Sequence, residues 1–296
     1  MTSTASLRLK LVVTPPRSAS TWSYDMLWAD PDLRVGTSKE IRFLSTPEHR
    51  SVDWYVKQFR KSPPDGPLVD VCHDYFEHPE APSRALTVTN EVAAVIVLRD
   101  PVTRTRSDFL NRQRNGRYRT DISYLEALRT DETLLGCSRY AADARRWRDT
   151  LGAHRCRFQP FELMKADPHE GLLQMYEHLG LAPPEQIPMT ATAASNAAQR
   201  HRNVRVARVG RAVGANLQRV GLHRVTHAVK RNRVVQRALY ADAATSQRTA
   251  VADDEAADDY VRTALTDDVD ELCDVSQFDF RSWWTAFSGD TSSSSS

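Results

Sequence analysis

Two stretches of the 296-residue chain hold the residue types needed to grip a multiply charged anion. The first is PPRSAST at 15–21. It follows the apolar run Leu7, Leu9, Leu11, Val12 and Val13 and precedes Trp22, Met26 and Leu27, which recur at helical spacing. That order predicts a strand, a tight loop and a helix N-terminus. First-turn N–H groups have no partner within the helix and carry partial positive charge, so they can receive an anion. Ser18, Ser20 and Thr21 would add hydroxyls, and Arg17 a guanidinium that meets phosphate oxygens in pairs. The alternative is a plain connection in which Ser20 or Thr21 is only an N-cap. The loop lacks G-x-x-x-x-G-K-[ST] and holds no glycine, which excludes an ordinary ATP loop. The second stretch is VIVLRDPVTRTRSDFLNRQRNG at 95–116, with Arg99 at a strand end, Pro101 at a helix start and Ser107 two turns in. Arg99 would lie at the crevice where open α/β sheets bind ligands. An arginine paired with a carboxylate and a solvated serine is the other reading.

The elements that must position these residues alternate along the chain. VDWYVKQF (52–59) puts Val52, Tyr55, Val56 and Phe59 on one helical face, and LVDVCHDYF (68–76) reads as a second strand. VAAVIVL (92–98) is a continuous β-branched run of the kind buried on both faces of a parallel sheet. A helix from Val102 to about Arg114, helices at 124–135 and 137–151, a strand with its exit loop at 156–164 and a helix at 168–180 follow. The expected fold is α/β with a central parallel sheet flanked by helices. One domain over 1–288 is expected, with an α/β core (1–188), a mainly helical part (189–288) and a Ser-rich tail (289–296). Residues 196–240 carry many arginines and no acid, whereas 253–274 are rich in Asp and Glu, so the formal charge of +2 hides a strong asymmetry.

Hydrophobic residues at 41% and charged residues at 26% suit a globular core. Cys72, Cys137, Cys156 and Cys273 form no CxxC pair, which favours reduced thiols in a cytoplasmic protein over a disulfide framework or zinc site. No apolar run reaches membrane-spanning length and no signal peptide is visible.

PPRSASTW, followed about eighty residues later by LRDPVTRTRSDF, resembles the two cofactor motifs of sulfotransferases that use 3′-phosphoadenosine 5′-phosphosulfate (PAPS). SKEIRFL, VDWYVKQF and RFQPFELMKADPHEGLLQMYEHLGL resemble segments of the sulfotransferase domain of heparan sulfate N-deacetylase/N-sulfotransferases and of bacterial glycan-type members. The resemblance implies a P-loop-like sheet and a helical C-terminal region. It also implies a 5′-phosphosulfate loop at Arg17, Ser18, Ala19, Ser20, Thr21 and Trp22, and a 3′-phosphate site at Arg99 and Ser107. Family members usually carry Lys and glycines where this chain has Arg17 and Ser18-Ala19-Ser20, and often a Lys where it has Val71, Cys72 and His73.

The reaction implied is in-line sulfuryl transfer to a hydroxyl or amine of a carbohydrate-type acceptor, a small molecule, oligosaccharide or glycolipid, with release of adenosine 3′,5′-bisphosphate (PAP). Glu40 would be the general base, and Arg17 with Lys39 would stabilise the leaving oxygen. No metal is expected. His73, Arg112 and Arg114 are candidate acceptor contacts, while Arg104 and Arg106 read as a solvated helix face. A His73–Asp74 pair is disfavoured, because neighbours on a strand point to opposite faces. The rival readings are a non-catalytic nucleotide-binding member of the fold and a nucleic-acid-binding protein using the basic 196–240 segment.

Overall fold

The computed structural model describes residues 7–46, 50–61, 63–184, 200–201, 240–241 and 251–282. Five parallel strands build the sheet: β1 (Arg8–Val13), β2 (Arg34–Val35), β3 (Leu68–Cys72), β4 (Glu91–Leu98) and β5 (Cys156–Pro160). Their spatial order is β2-β3-β1-β4-β5, which places β1 at the centre. The register aligns Val13 with Cys72 on one side and Ile96 on the other, so the three central strands end together. The expected parallel α/β sheet is therefore present and of P-loop-like order. The pair Arg34–Val35 is too short to leave a periodic signal.

Alternate side chains of β1 serve opposite faces, as a period of two demands. Leu9, Leu11 and Val13 enter one apolar cluster with Tyr55, Phe59, Trp147 and Phe280. Val12 enters another with Trp22, Met26, Leu27, Met175 and Tyr176. On the second face lie α1 (Ser20–Ala29) and the later helix α9 (Pro168–Leu179); the helices between them in sequence are α2 (Val52–Val56), α3 (Ala81–Val88), α4 (Pro101–Arg114), α5 (Tyr124–Thr130), α6 (Glu132–Gly136), α7 (Ala141–Leu151) and α8 (Phe161–Ala166). The segment 124–135, expected as one helix, is divided because Asp131 is extended and caps α6 through Thr133 N.

The long helix α10 (Val251–Ser276) is integral to this body. Its Val261 and Leu265 share a cluster with Phe109 and Leu128, and Asp268 accepts hydrogen bonds from the backbone N–H groups of Tyr140 and Ala141. Two further short strands, β6 (Arg200–His201) and β7 (Tyr240–Ala241), pair antiparallel apart from the main sheet. The rest of the basic 196–240 segment, Trp283, Trp284 and the Ser-rich tail lie outside the described residues. All four cysteines are unpaired. No described helix is long and apolar enough to cross a membrane.

Candidate active site

The loop between β1 and α1 adopts the tight path that the sequence suggested, and does so without glycine. Arg17 (φ 75°) and Ala19 (φ 67°) both occupy the left-handed region, at a cost of about 1–2 kcal/mol each for a residue with a Cβ. Ala19 is the N-cap of α1 and offers no side-chain acceptor, so the first-turn N–H groups stay available to a ligand. Ser18 is fully buried, and its Oγ has no hydrogen-bond partner among the described residues. An orphaned buried hydroxyl is costly unless something comes to meet it. Trp22 is buried in the apolar cluster behind the loop.

The two anion motifs meet across ninety residues of chain. Arg17 Nε donates to Ser107 Oγ at 3.3 Å, and Arg99 Nη1 donates to the Arg17 carbonyl at 3.1 Å. Burial together with the nearby charges of Arg114 and Arg99 lowers the Arg17 pKa. Arg17 and Arg99, held together with the charge of Arg114 nearby, form a field that favours a multiply charged anion. Arg114, a candidate acceptor contact, is half-buried near enough for its charge to act on Arg17. Arg112 does not face an open groove: it is buried and bonded to Asp108, Asp131 and the Thr133 carbonyl. Arg104, expected on a solvated face, is wholly buried and donates to Ser138 Oγ and the Leu134 carbonyl. Arg106 pairs with Asp258 of α10.

The segment 36–44 hangs on the exit of β3, with Gly36 N donating to the Val69 carbonyl and Glu40 N to the Val71 carbonyl. This brings Lys39 and Glu40 beside the loop. Lys39 Nζ lies 3.1 Å from Ser20 Oγ, 3.2 Å from Thr21 Oγ1 and 3.0 Å from Glu40 Oε1. The other Glu40 oxygen, Oε2, accepts from His73 N at 3.1 Å and lies 2.5 Å from His73 Nδ1. His73 Nε2 in turn is 3.0 Å from Asp74 Oδ1, and Asp74 pairs with Arg42. The expected separation of His73 and Asp74 is thereby corrected: β3 ends at Cys72, so strand alternation does not govern the two residues beyond it. Burial opposes the Glu40 charge, but His73 and Lys39 outweigh it and hold the carboxyl down at about 2. Burial likewise opposes the imidazolium, yet Asp74 and Glu40 raise His73 to about 9. Glu40, His73 and Asp74 are the one group with cation-ligand donor types among the described residues. The two carboxylates take different imidazole nitrogens, which is the arrangement of an ion-pair chain.

Next to Arg99 a cavity of about 300 Å³ opens between Thr103, Phe161, Glu162 and Phe278. The Arg99 guanidinium stands 5.1 Å from the Phe161 ring centre. Glu162 accepts from Asp100 N, while burial pushes its carboxyl up to about 7 and leaves Oε2 without a partner among the described residues. The sequence reading saw this stretch as a strand with its exit loop and as a segment resembling the sulfotransferase domain, and named no site residue in it. Its one signal was PFEL, which runs from the last residue of β5 into α8.

A β2-β3-β1-β4-β5 parallel sheet with a cationic loop at its central strand defines a P-loop-like α/β protein. The family is then given by the sequence as a whole: residues 9–208 match the model of the sulfotransferase domain, and the chain belongs to the sulfotransferase family. It is 25% identical over 167 residues to heparan sulfate glucosamine 3-O-sulfotransferase 3B1 of Mus musculus, covering 53% of this chain and 42% of that protein. It is 30% identical over 77 residues to heparan sulfate glucosamine 3-O-sulfotransferase 5 of Homo sapiens, covering 25% of this chain and 22% of that one. The chain thus spans less than half the length of these curated relatives. The crystal structure of a sulfotransferase from Alicyclobacillus acidocaldarius shares the fold, with a TM-score of 0.54 at 19% identity over 78% of this chain and 99% of that one.

Proposed function

We propose that the protein transfers a sulfuryl group from PAPS to a hydroxyl or amine of a carbohydrate-type acceptor and releases PAP. The observation that carries this reading is the contact of Arg17 with Ser107, which joins two anion motifs into one site facing the Lys39–Glu40 pair. PAPS, when bound, supplies an activated sulfuryl group on a phosphate leaving group. The residues fit such a ligand. Ser18, Ser20, Thr21 and the first N–H groups of α1 would hold the 5′ side, while Arg99, Ser107 and Arg114 would hold the 3′-phosphate. The cavity at Phe161 offers a ring face to the nucleoside.

Glu40 would take the acceptor proton, with His73 fixing the orientation of its carboxylate. Lys39 would offset the charge growing on the leaving oxygen, with Arg17 engaged on Ser107 at the other side of the loop. The names of the curated relatives favour a glucosamine-bearing acceptor. No step requires a metal. The test is release of PAP from PAPS in chelator across a panel of amino- and uronic-acid oligosaccharides, with the sulfated product identified by mass. Acceptor-dependent release that survives chelation and is lost in Glu40→Gln supports the reading. Equal release from Glu40→Gln, or turnover that stops on chelation, contradicts it.

A further inference from the structure

Resting on that reading, we propose that Lys39 is the cation of the cofactor's 5′-phosphate and is handed to it from Glu40, so that filling the loop releases the base. The loop's own cation is turned elsewhere: Arg17 Nε lies on Ser107 Oγ, and its carbonyl is held by Arg99. The 5′ side of the cradle has hydroxyls and N–H groups but no loop lysine. Lys39 reaches that side from a different segment. Its three N–H donors face three oxygens: Ser20 Oγ, Thr21 Oγ1 and Glu40 Oε1.

A phosphosulfate arriving at the N-terminus of α1 brings two negative charges, one on the phosphate and one on the sulfuryl group, to hydroxyls that Lys39 already touches, and it outcompetes the single carboxylate for the ammonium. The groups facing Glu40 divide cleanly. His73, with Asp74 and Arg42 behind it, and the Cys72 thiol are engaged with Oε2, and Asp70 lies within the electrostatic reach of Glu40 on the same strand exit. Lys39 is the one contact of Oε1 among the described residues. Its departure therefore exposes one oxygen to the acceptor while the other stays clamped. The base is weak while the cradle is empty and strengthened when the cofactor sits in it, which links acceptor activation to cofactor occupancy.

The experiment is calorimetric titration of PAP, AMP and adenosine 3′-monophosphate into wild type, Lys39→Gln, Lys39→Arg, Glu40→Gln and the Lys39→Gln/Glu40→Gln double variant, each verified as folded by circular dichroism. Lys39→Gln is expected to weaken PAP and AMP by about tenfold each, leaving adenosine 3′-monophosphate within about twofold. Lys39→Arg is expected to recover most of that loss. Glu40→Gln is expected to tighten AMP several-fold, and by clearly less when Lys39 is already gone. Equal losses for the 3′- and 5′-monophosphates, no loss at all, or strictly multiplicative effects of the two substitutions would overturn the hand-over. A wild type that binds PAP no tighter than AMP would instead overturn the sulfotransferase cofactor reading on which it rests.

Discussion

The most consequential residue is Glu40, held ionised by two cations at the edge of the anion loop. A carboxyl near 2 is a poor base at neutral pH, because proton transfer is most efficient when the base's pKa lies near the working pH. To serve as the proposed base it would have to lose one of these partners during turnover, and Lys39 is the partner that the hand-over removes. Glu40→Gln is expected to retain PAP binding while abolishing transfer; near-normal turnover in that variant would remove Glu40 from the chemistry. Arg99→Ala tests the other end of the ligand. It should weaken PAP and adenosine 3′-monophosphate by about tenfold or more while leaving AMP nearly unchanged. Equal losses for all three would show that Arg99 only props up the Arg17 carbonyl.

At the scale of elements, the loop after β1 keeps its shape through two left-handed residues that carry side chains. Ala19→Gly should relieve the Cβ strain and raise unfolding free energy by about 0.5–1 kcal/mol in a denaturant titration. A loss of stability would mean that the Ala19 methyl, which packs on the cluster containing Trp22, outweighs the backbone gain. The strand–loop–helix order was readable in PPRSAST because the flanking apolar periods are strong. The association of this loop with Arg99 and Ser107 came from the resemblance to two cofactor motifs, and the adjacency of β1 and β4, which end together, is what brings them into contact. The His73–Asp74 contact was not readable, because it depends on β3 stopping at Cys72. The buried state of Arg104 and Arg112 also escaped the sequence. Their partners, Ser138, Asp131 and Thr133, lie on α6 and the turns around it, far along the chain.

At the scale of the whole molecule, the site couples to global stability through its ion pairs. His73 is raised in the folded state, so its contribution is fully present below its ordinary value near 6.5 and disappears as pH rises to about 9. Glu40 is lowered, so the same pairing fails on the acid side as pH falls from its ordinary range toward about 2. Wild type should lose about 1–3 kcal/mol relative to His73→Gln between pH 6.5 and 9. Parallel stability curves for the two proteins over that range would show that the imidazole is not charged in the folded state. The closure of the site by α10 is likewise a property of the whole chain. Phe278 and Ser282, beyond its end, line the cavity beside Arg99, although no local pattern in 278–282 marks them as site residues.

The most direct test of the central claim is thermal unfolding in chelator with PAP, ADP or AMP at matched concentration. A ligand bound only by the folded state raises the melting temperature by mass action. Stabilisation by PAP well beyond ADP and AMP is the predicted result, since only PAP engages both the 5′ loop and the Arg99–Ser107 site. Equal shifts for PAP and ADP, or none for either, would contradict a site built for a 3′-phosphorylated nucleotide.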